Sequence, residues 1–306
     1  MLKPRHRPGA AVGGAVAAAL ALLVPLAGCG DGGGDVSARN GADGFDGDRA
    51  FAAVEAQVAL GPRPSGSDAN QRLARLLVDR LGRAGVDDVR IQRPVANVVG
   101  TIGGGGEGWI VLGAHYDTKD LPGFVGANDG ASGVAVVLEL ARTLPRPQRG
   151  PSIAVALFDG EEARGDRDFE ADGLRGSRQY VEYAVDGRQG TPPATAIEAM
   201  VLLDMVGDCD LEIPREERSD PGIWAELAAA DPELFDGATG AISDDHVPFL
   251  EAGIPAVDVI DFQFGAGPPP GELWHTAGDD LDAVCPASLD AVGGALLRAL
   301  PRIGVE

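Results

Sequence analysis

Trp109-Ile110-Val111-Leu112-Gly113-Ala114-His115-Tyr116-Asp117 is an unbroken apolar run that ends in an imidazole and a carboxylate. An apolar stretch of this length without polar alternation marks a strand covered on both faces, as in a parallel sheet. The signature recurs at Ile153–Phe158, Ala199–Leu203 and Ala256–Ile260. Between and beyond these runs the spacing predicts helices. They fall at Ser132–Leu144, stopped by Pro145, at Ser177–Val185, around Ile223–Ala230, at His246–Ala252 and at Ser288–Leu300. Upstream, Asp48–Leu60 and Asp68–Ala84 read as helices, the second with Leu73, Leu76, Leu77 and Leu81 on one face. A β-rich stretch, Val89–Ile102, closes in the glycines Gly103–Gly106. Strands alternating with helices predict an α/β sandwich around a mainly parallel central sheet. Sites in such sheets form at the carboxyl ends of the strands.

Chemistry-bearing residues stand at those ends. His115-Tyr116-Asp117 follow the first run and Asp159-Gly160-Glu161-Glu162 the second. Asp204 follows the third, and Asp261 the fourth, with Trp274-His275-Thr276 beyond it. Asp129 lies in Gly126-Ala127-Asn128-Asp129-Gly130, just before a helix. Singly, each has a structural explanation as a cap or turn residue. The chain has four histidines, however, and His6 lies in the leader. His115, His246 and His275 all fall beside carboxylates near strand ends, a coincidence that favours function.

Imidazoles mixed with carboxylates, without thiolates, suit a catalytic zinc ion. His115 and Asp117 share a face of extended chain, so one can ligate while the other accepts the imidazole N–H. Glu161 and Glu162 point opposite ways, so one can bind metal while its neighbour acts as general base.

The 306 residues are 44% hydrophobic and 24% charged, an ordinary globular composition. The net charge of −22 argues against nucleic acid as a partner, which would need clustered Lys and Arg. Lys3, Arg5 and Arg7 precede the apolar run Ala10–Leu26, a leader too short and too rich in Gly and Ala for a membrane span. It ends in Leu26-Ala27-Gly28-Cys29, which resembles the lipobox of bacterial lipoproteins. That resemblance implies a signal peptide at residues 1–28, a lipid on Cys29, and export to a bacterial membrane surface. Residues 29–48, rich in Gly, Asp and Ser, read as a tether, leaving residues 49–306 as one domain. Cys209 and Cys285 remain, as a disulfide or as two separate buried thiols.

Over roughly residues 50–306 the motifs resemble those of the co-catalytic zinc aminopeptidases and the related animal-type glutaminyl cyclases. Gly113-Ala114-His115-Tyr116-Asp117-Thr118 is similar to the first metal motif, and Asn128-Asp129-Gly130-Ala131-Ser132-Gly133 to the bridging-aspartate motif. Phe158-Asp159-Gly160-Glu161-Glu162-Ala163, Leu203-Asp204-Met205 and Trp274-His275-Thr276 complete the set. The resemblance implies His115 and Asp204 at one metal, Glu162 and His275 at another, Asp129 bridging, and Glu161 as base. It also implies a three-layer sandwich with a mixed sheet, and peptide N-termini as substrate.

Asp244-Asp245-His246-Val247-Pro248-Phe249-Leu250 and the Trp274-His275-Thr276 tail are similar to the cyclase branch. That branch implies one zinc on Asp129, Glu162 and His275, with Glu161, Asp204 and Asp244 handling protons. It places Trp274 beside the substrate. Asp258 stands where animal cyclases carry histidine and is expected in the substrate pocket. The product would be pyroglutamate from N-terminal glutamine, with loss of ammonia. The Asn128–Gly133 motif is closer to the aminopeptidases, which imply two zinc ions. An inactive binding lipoprotein is a third reading, expected where base or ligands are missing, and here all are present.

Overall fold

The computed structural model describes residues 44–304. The expected leader, Cys29 and the expected tether up to residue 43 lie outside the described residues. Residues 44–48, read as the end of the tether, belong instead to the packed domain. Phe45 is fully buried, and the side chain of Asp46 accepts from Arg49 N to cap the first helix. One aromatic residue in a Gly/Asp-rich stretch is enough to anchor it.

The elements run α1 (Gly47–Val58), α2 (Asp68–Arg83), β1 (Asp87–Ile91), β2 (Val98–Ile102), β3 (Trp109–His115), α3 (Ser132–Thr143) and β4 (Ser152–Phe158). They continue with α4 (Phe169–Asp172), α5 (Arg175–Asp186), β5 (Ile197–Asp204), α6 (Pro221–Ala230), α7 (Val247–Glu251), β6 (Ala256–Ile260) and α8 (Pro286–Ala299). The sheet order is β1-β2-β4-β3-β5-β6. β4, β3, β5 and β6 are parallel neighbours, and β1 and β2 are antiparallel additions. The predicted β-rich stretch is thus two strands. The short α4 turn, held by Asp172 against Arg164 and Arg167, had no periodic signal.

Coverage of both sheet faces follows from the period of two. On β4, Ile153, Val155 and Leu157 pack into a large core with residues of α1, α2, α3, α6 and α8. Ala154, Ala156 and Phe158 turn the other way, into a smaller core with Tyr180 and Val181 of α5 and Phe249 of α7. This is the three-layer sandwich with a mixed, mainly parallel sheet that the sequence predicts.

Two contacts set the heights of the site-bearing segments. A Cβ on Gly133 would lie 2.1 Å from the Leu203 carbonyl oxygen, so α3 crosses β5 closer than any side chain allows. Cys209 and Cys285 form a disulfide, which joins the segment after β5 to the N-cap of α8. No helix among the described residues is long and apolar enough to cross a membrane.

Candidate active site

β3 and β5 are adjacent and parallel, so their carboxyl ends deliver His115 and Asp204 side by side. His115 Nε2 lies 3.1 Å from Asp204 Oδ1 and 3.2 Å from Asp129 Oδ1. Its other nitrogen faces Asp117 Oδ1 at 3.7 Å. The Asp117 carboxylate also accepts from Glu161 N (3.1 Å) and Glu162 N (3.3 Å). One buried acid thereby ties the end of β3 to the glutamate pair after β4.

Asp129 arrives on the loop before α3. Asn128 N and Asp129 N both donate to the Asp279 carboxylate, at 2.6 and 3.0 Å. The buried Arg63 guanidinium donates to the carbonyls of Val125 and Gly126. Gly130 has φ +94°, and a Cβ there would sit 2.5 Å from the Asp117 backbone carbonyl oxygen. Only glycine lets the loop turn so close beneath His115.

On the far side of Asp129, His275 Nε2 lies 2.9 Å from Glu162 Oε1 and 3.3 Å from Asp129 Oδ2. Glu162 Oε2 faces the Lys119 ammonium at 3.3 Å. His275 has φ +55° and Met205, following Asp204, has φ +48°. Left-handed backbone at non-glycine residues is costly, and here it falls on the segments that aim the site. The Trp274 ring stacks on His275 with centroids 3.7 Å apart.

Candidate ligand atoms of His115, Asp129 and Asp204 lie within 4.8 Å of one another, as do those of Asp129, Glu162 and His275. The groups share Asp129. Two imidazoles and three carboxylates, without a thiolate, match the donor chemistry of a catalytic zinc site. Burial would raise Asp129, but bonding to His115 and His275 holds it well below the usual carboxylate range. Burial would lower His275, but Asp129 and Glu162 lift it to about 9.

A cleft of ≈ 380 Å³ opens on these residues. Glu161 and Asp244 face it from outside the two ligand groups. Burial, then the Glu162 charge, raises Glu161 well above the ordinary glutamate value. Burial, then Asp258, does the same to Asp244. Carboxyl groups raised in this way take up protons more readily than an ordinary carboxylate. The apolar wall is Met205, Ile242, Ile260, Phe262 and Trp274.

Of the residues singled out from the sequence, His115, Asp117, Asp129, Glu161, Glu162, Asp204, Asp244, Trp274 and His275 converge here. Asp258 does not. It is fully buried in mid-strand on β6 and does not line the cleft. Residues i and i+2 share a strand face, so Ile260 reaches the cleft and Asp258 lies one step deeper. His246 is likewise buried away from the cleft, 3.7 Å from Asp258 and 3.5 Å from Glu216. Sequence reasoning missed Lys119, Phe262 and Ile242. A signal existed for the first, because the chain has two lysines, Lys3 and Lys119.

Residues 97–300 match Peptidase family M28. The chain is 28% identical over 237 residues to a glutaminyl-peptide cyclotransferase of Gloydius blomhoffii, covering 65% of this chain. It spans 62% of the length of that relative. Among solved structures it resembles an Acidobacteriales bacterium glutaminyl cyclase, with TM-score 0.75, 31% identity, and coverage of 85% of this chain and 95% of that one. It also resembles a Zn-dependent exopeptidase from Parabacteroides distasonis, with TM-score 0.72, 26% identity, and coverage of 84% and 98%. With the match spanning most of the domain, the chain belongs to peptidase family M28.

Proposed function

We propose that this enzyme is a zinc-dependent glutaminyl-peptide cyclotransferase, converting N-terminal glutamine of peptides to pyroglutamate with release of ammonia. One observation carries the choice within the family. Two buried carboxyls, Glu161 and Asp244, face the cleft from outside both ligand groups, each with its proton affinity raised by burial. A cyclisation that moves a proton from an amine to departing ammonia needs such groups. The likeness to a solved glutaminyl cyclase supports the same reading.

Asp129, Glu162 and His275 would hold the zinc ion. When bound, it supplies Lewis acidity toward the side-chain amide carbonyl. The glutamine side chain packs against Trp274 and the apolar wall, which excludes water. The α-amine attacks the amide carbon, the new C–N bond closes the lactam, and the old C–N bond breaks. Glu161 accepts the proton that the amine loses and returns it to the leaving nitrogen, which departs as ammonia. Asp244, whose proton affinity is raised by burial and by Asp258, would hydrogen-bond to the proton carrier or the oxyanion in the same cleft.

A second reading rests on a specific observation. The two ligand groups sharing Asp129 are what an aminopeptidase with two zinc ions would use. A Gln-initiated and a Leu-initiated peptide, each with and without chelator, separate the two by mass spectrometry. Chelator-sensitive loss of ammonia from the first alone supports the cyclase. Removal of a whole residue from the second supports the peptidase.

We further propose that the enzyme is exported and anchored by lipid on Cys29 to a bacterial membrane. The Leu26–Cys29 motif and a disulfide suited to an oxidising compartment support this. Labelling of cells with a clickable fatty acid checks it, with Cys29→Ser abolishing the label.

A further inference from the structure

A second cavity, of ≈ 500 Å³, adjoins the catalytic cleft. Phe262 lines both, and its ring meets Trp274 edge-on at 5.8 Å, so one aromatic side chain divides them. Its walls come from the segments after β5, α6 and β6, so it opens at the same end of the sheet as the candidate metal centre.

Backbone contacts fix the walls. Arg215 N donates to Gly237 O at 3.2 Å, and Thr239 N to Arg215 O at 2.9 Å. The Asp261 carboxylate accepts from Glu212 N and from Gln263 N, at 2.9 and 3.1 Å. The cavity is therefore preformed. Leu211 and Leu234 give it apolar surface, while Glu212, Glu233 and Asp236 are exposed at its rim. None of its described lining residues is basic.

We propose that this cavity is a binding subsite for the downstream residues of a cationic peptide whose N-terminus occupies the catalytic cleft. The inference rests on the reading of that cleft as a site for peptide N-termini. Two observations carry it: continuity with the cleft across Phe262, and charge complementarity over an apolar floor. About two residues of extended chain span one aromatic side chain, so the third residue onward reaches the cavity. An arginine or lysine there lays its aliphatic stem along Leu211 and Leu234 and sets its charge at the acidic rim.

The test compares Gln-Ala, which reaches the catalytic cleft alone, with Gln-Ala-Arg-Arg and Gln-Ala-Glu-Glu. All three are assayed on the wild type and on Glu212→Gln/Asp236→Asn, with circular dichroism to confirm folding. The Arg peptide should show a KM about three- to tenfold below that of the Glu peptide in the wild type. The gap should close in the variant and at about 0.5 M salt, with kcat and Gln-Ala turnover unchanged. Equal KM values in the wild type, or a gap that survives the double substitution, would overturn the subsite. If no Gln peptide is cyclised, the proposed activity fails separately. Fluorescence anisotropy with a C-terminally labelled Ala-Ala-Arg-Arg peptide then decides the subsite alone: weaker binding to the variant supports it, and equal binding removes it.

Discussion

The Lys119 ammonium lies 3.3 Å from Glu162 Oε2, while the other Glu162 oxygen faces His275 at 2.9 Å. Glu162 is thus divided, with one oxygen turned to a candidate ligand group and one to a fixed cation. The chain carries 23 arginines and two lysines. A compact point charge stands here where a planar guanidinium serves elsewhere. Replacing Lys119 with Gln removes positive charge beside the candidate metal ligands. Zinc should bind about tenfold more tightly, read by competition with a chromophoric chelator. Unchanged or weaker binding would show that the ammonium has no electrostatic hold on the site.

Glu161→Gln keeps the shape of the side chain but removes the proton acceptor. Turnover should fall by about 10²- to 10⁴-fold, while zinc content by elemental analysis stays at the wild-type value. Loss of metal together with activity would move Glu161 from proton carrier to ligand.

Gly133→Ala puts a methyl group against the Leu203 carbonyl, which is backbone and cannot swing aside. Forcing α3 off β5 should cost about 2–3 kcal/mol in urea denaturation. Because Asp129 precedes α3, zinc affinity should fall in step. A variant as stable as the parent would mean the crossing relaxes freely.

Reducing the Cys209–Cys285 disulfide, or replacing Cys285 with Ser, opens a loop with a sequence separation of 76 residues. The loss should be about 3–4 kcal/mol, seen as a lower urea midpoint. Identical midpoints with and without reductant would show that the loop is held by its other contacts.

Stability of the metal-free protein should decline as pH rises from about 5 to about 9. Burial lifts Asp245 to about 7 and Asp261 to about 6, against roughly 3.9 in an unfolded chain. Both are raised, so the stability they contribute is fully present below about 4 and is lost as pH climbs through 6 to 7. For His275, burial acts downward, but its carboxylate neighbours win and hold it near 9. Its contribution is present below about 6.5 and vanishes as pH rises through 9. Glu216, held near 2 by His246 and backbone N–H groups despite burial, acts oppositely, with stability lost as pH falls through 2. Melting temperatures in chelator across this range check the sign. A flat or rising curve would contradict it.

Much of this was legible in the chain. Period and length found every long helix and each core strand, because burial on two faces leaves an unbroken apolar run. His115 and Asp204 were readable because strand ends are where parallel sheets build sites. What failed was depth and non-local contact. Asp258 and Ile260 share a strand face, and nothing in the sequence says which of them reaches the cleft. Phe262 and Ile242 join the wall from loops whose course follows no period. Phe45 was hidden by the composition around it. Lys119 was visible all along in the lysine count, a signal of rarity rather than of pattern.

One carboxylate serving two ligand groups has a thermodynamic consequence. Asp129 offers Oδ1 toward His115 and Oδ2 toward His275, so any cation that draws on one oxygen changes the electron density left on the other. Were cations to fill both groups, their occupancies could not be independent. Their binding constants are linked, and whatever free energy the first ion gains or loses through Asp129 is felt equally by the second, in either order of filling. A change at either position therefore acts as a control on the other.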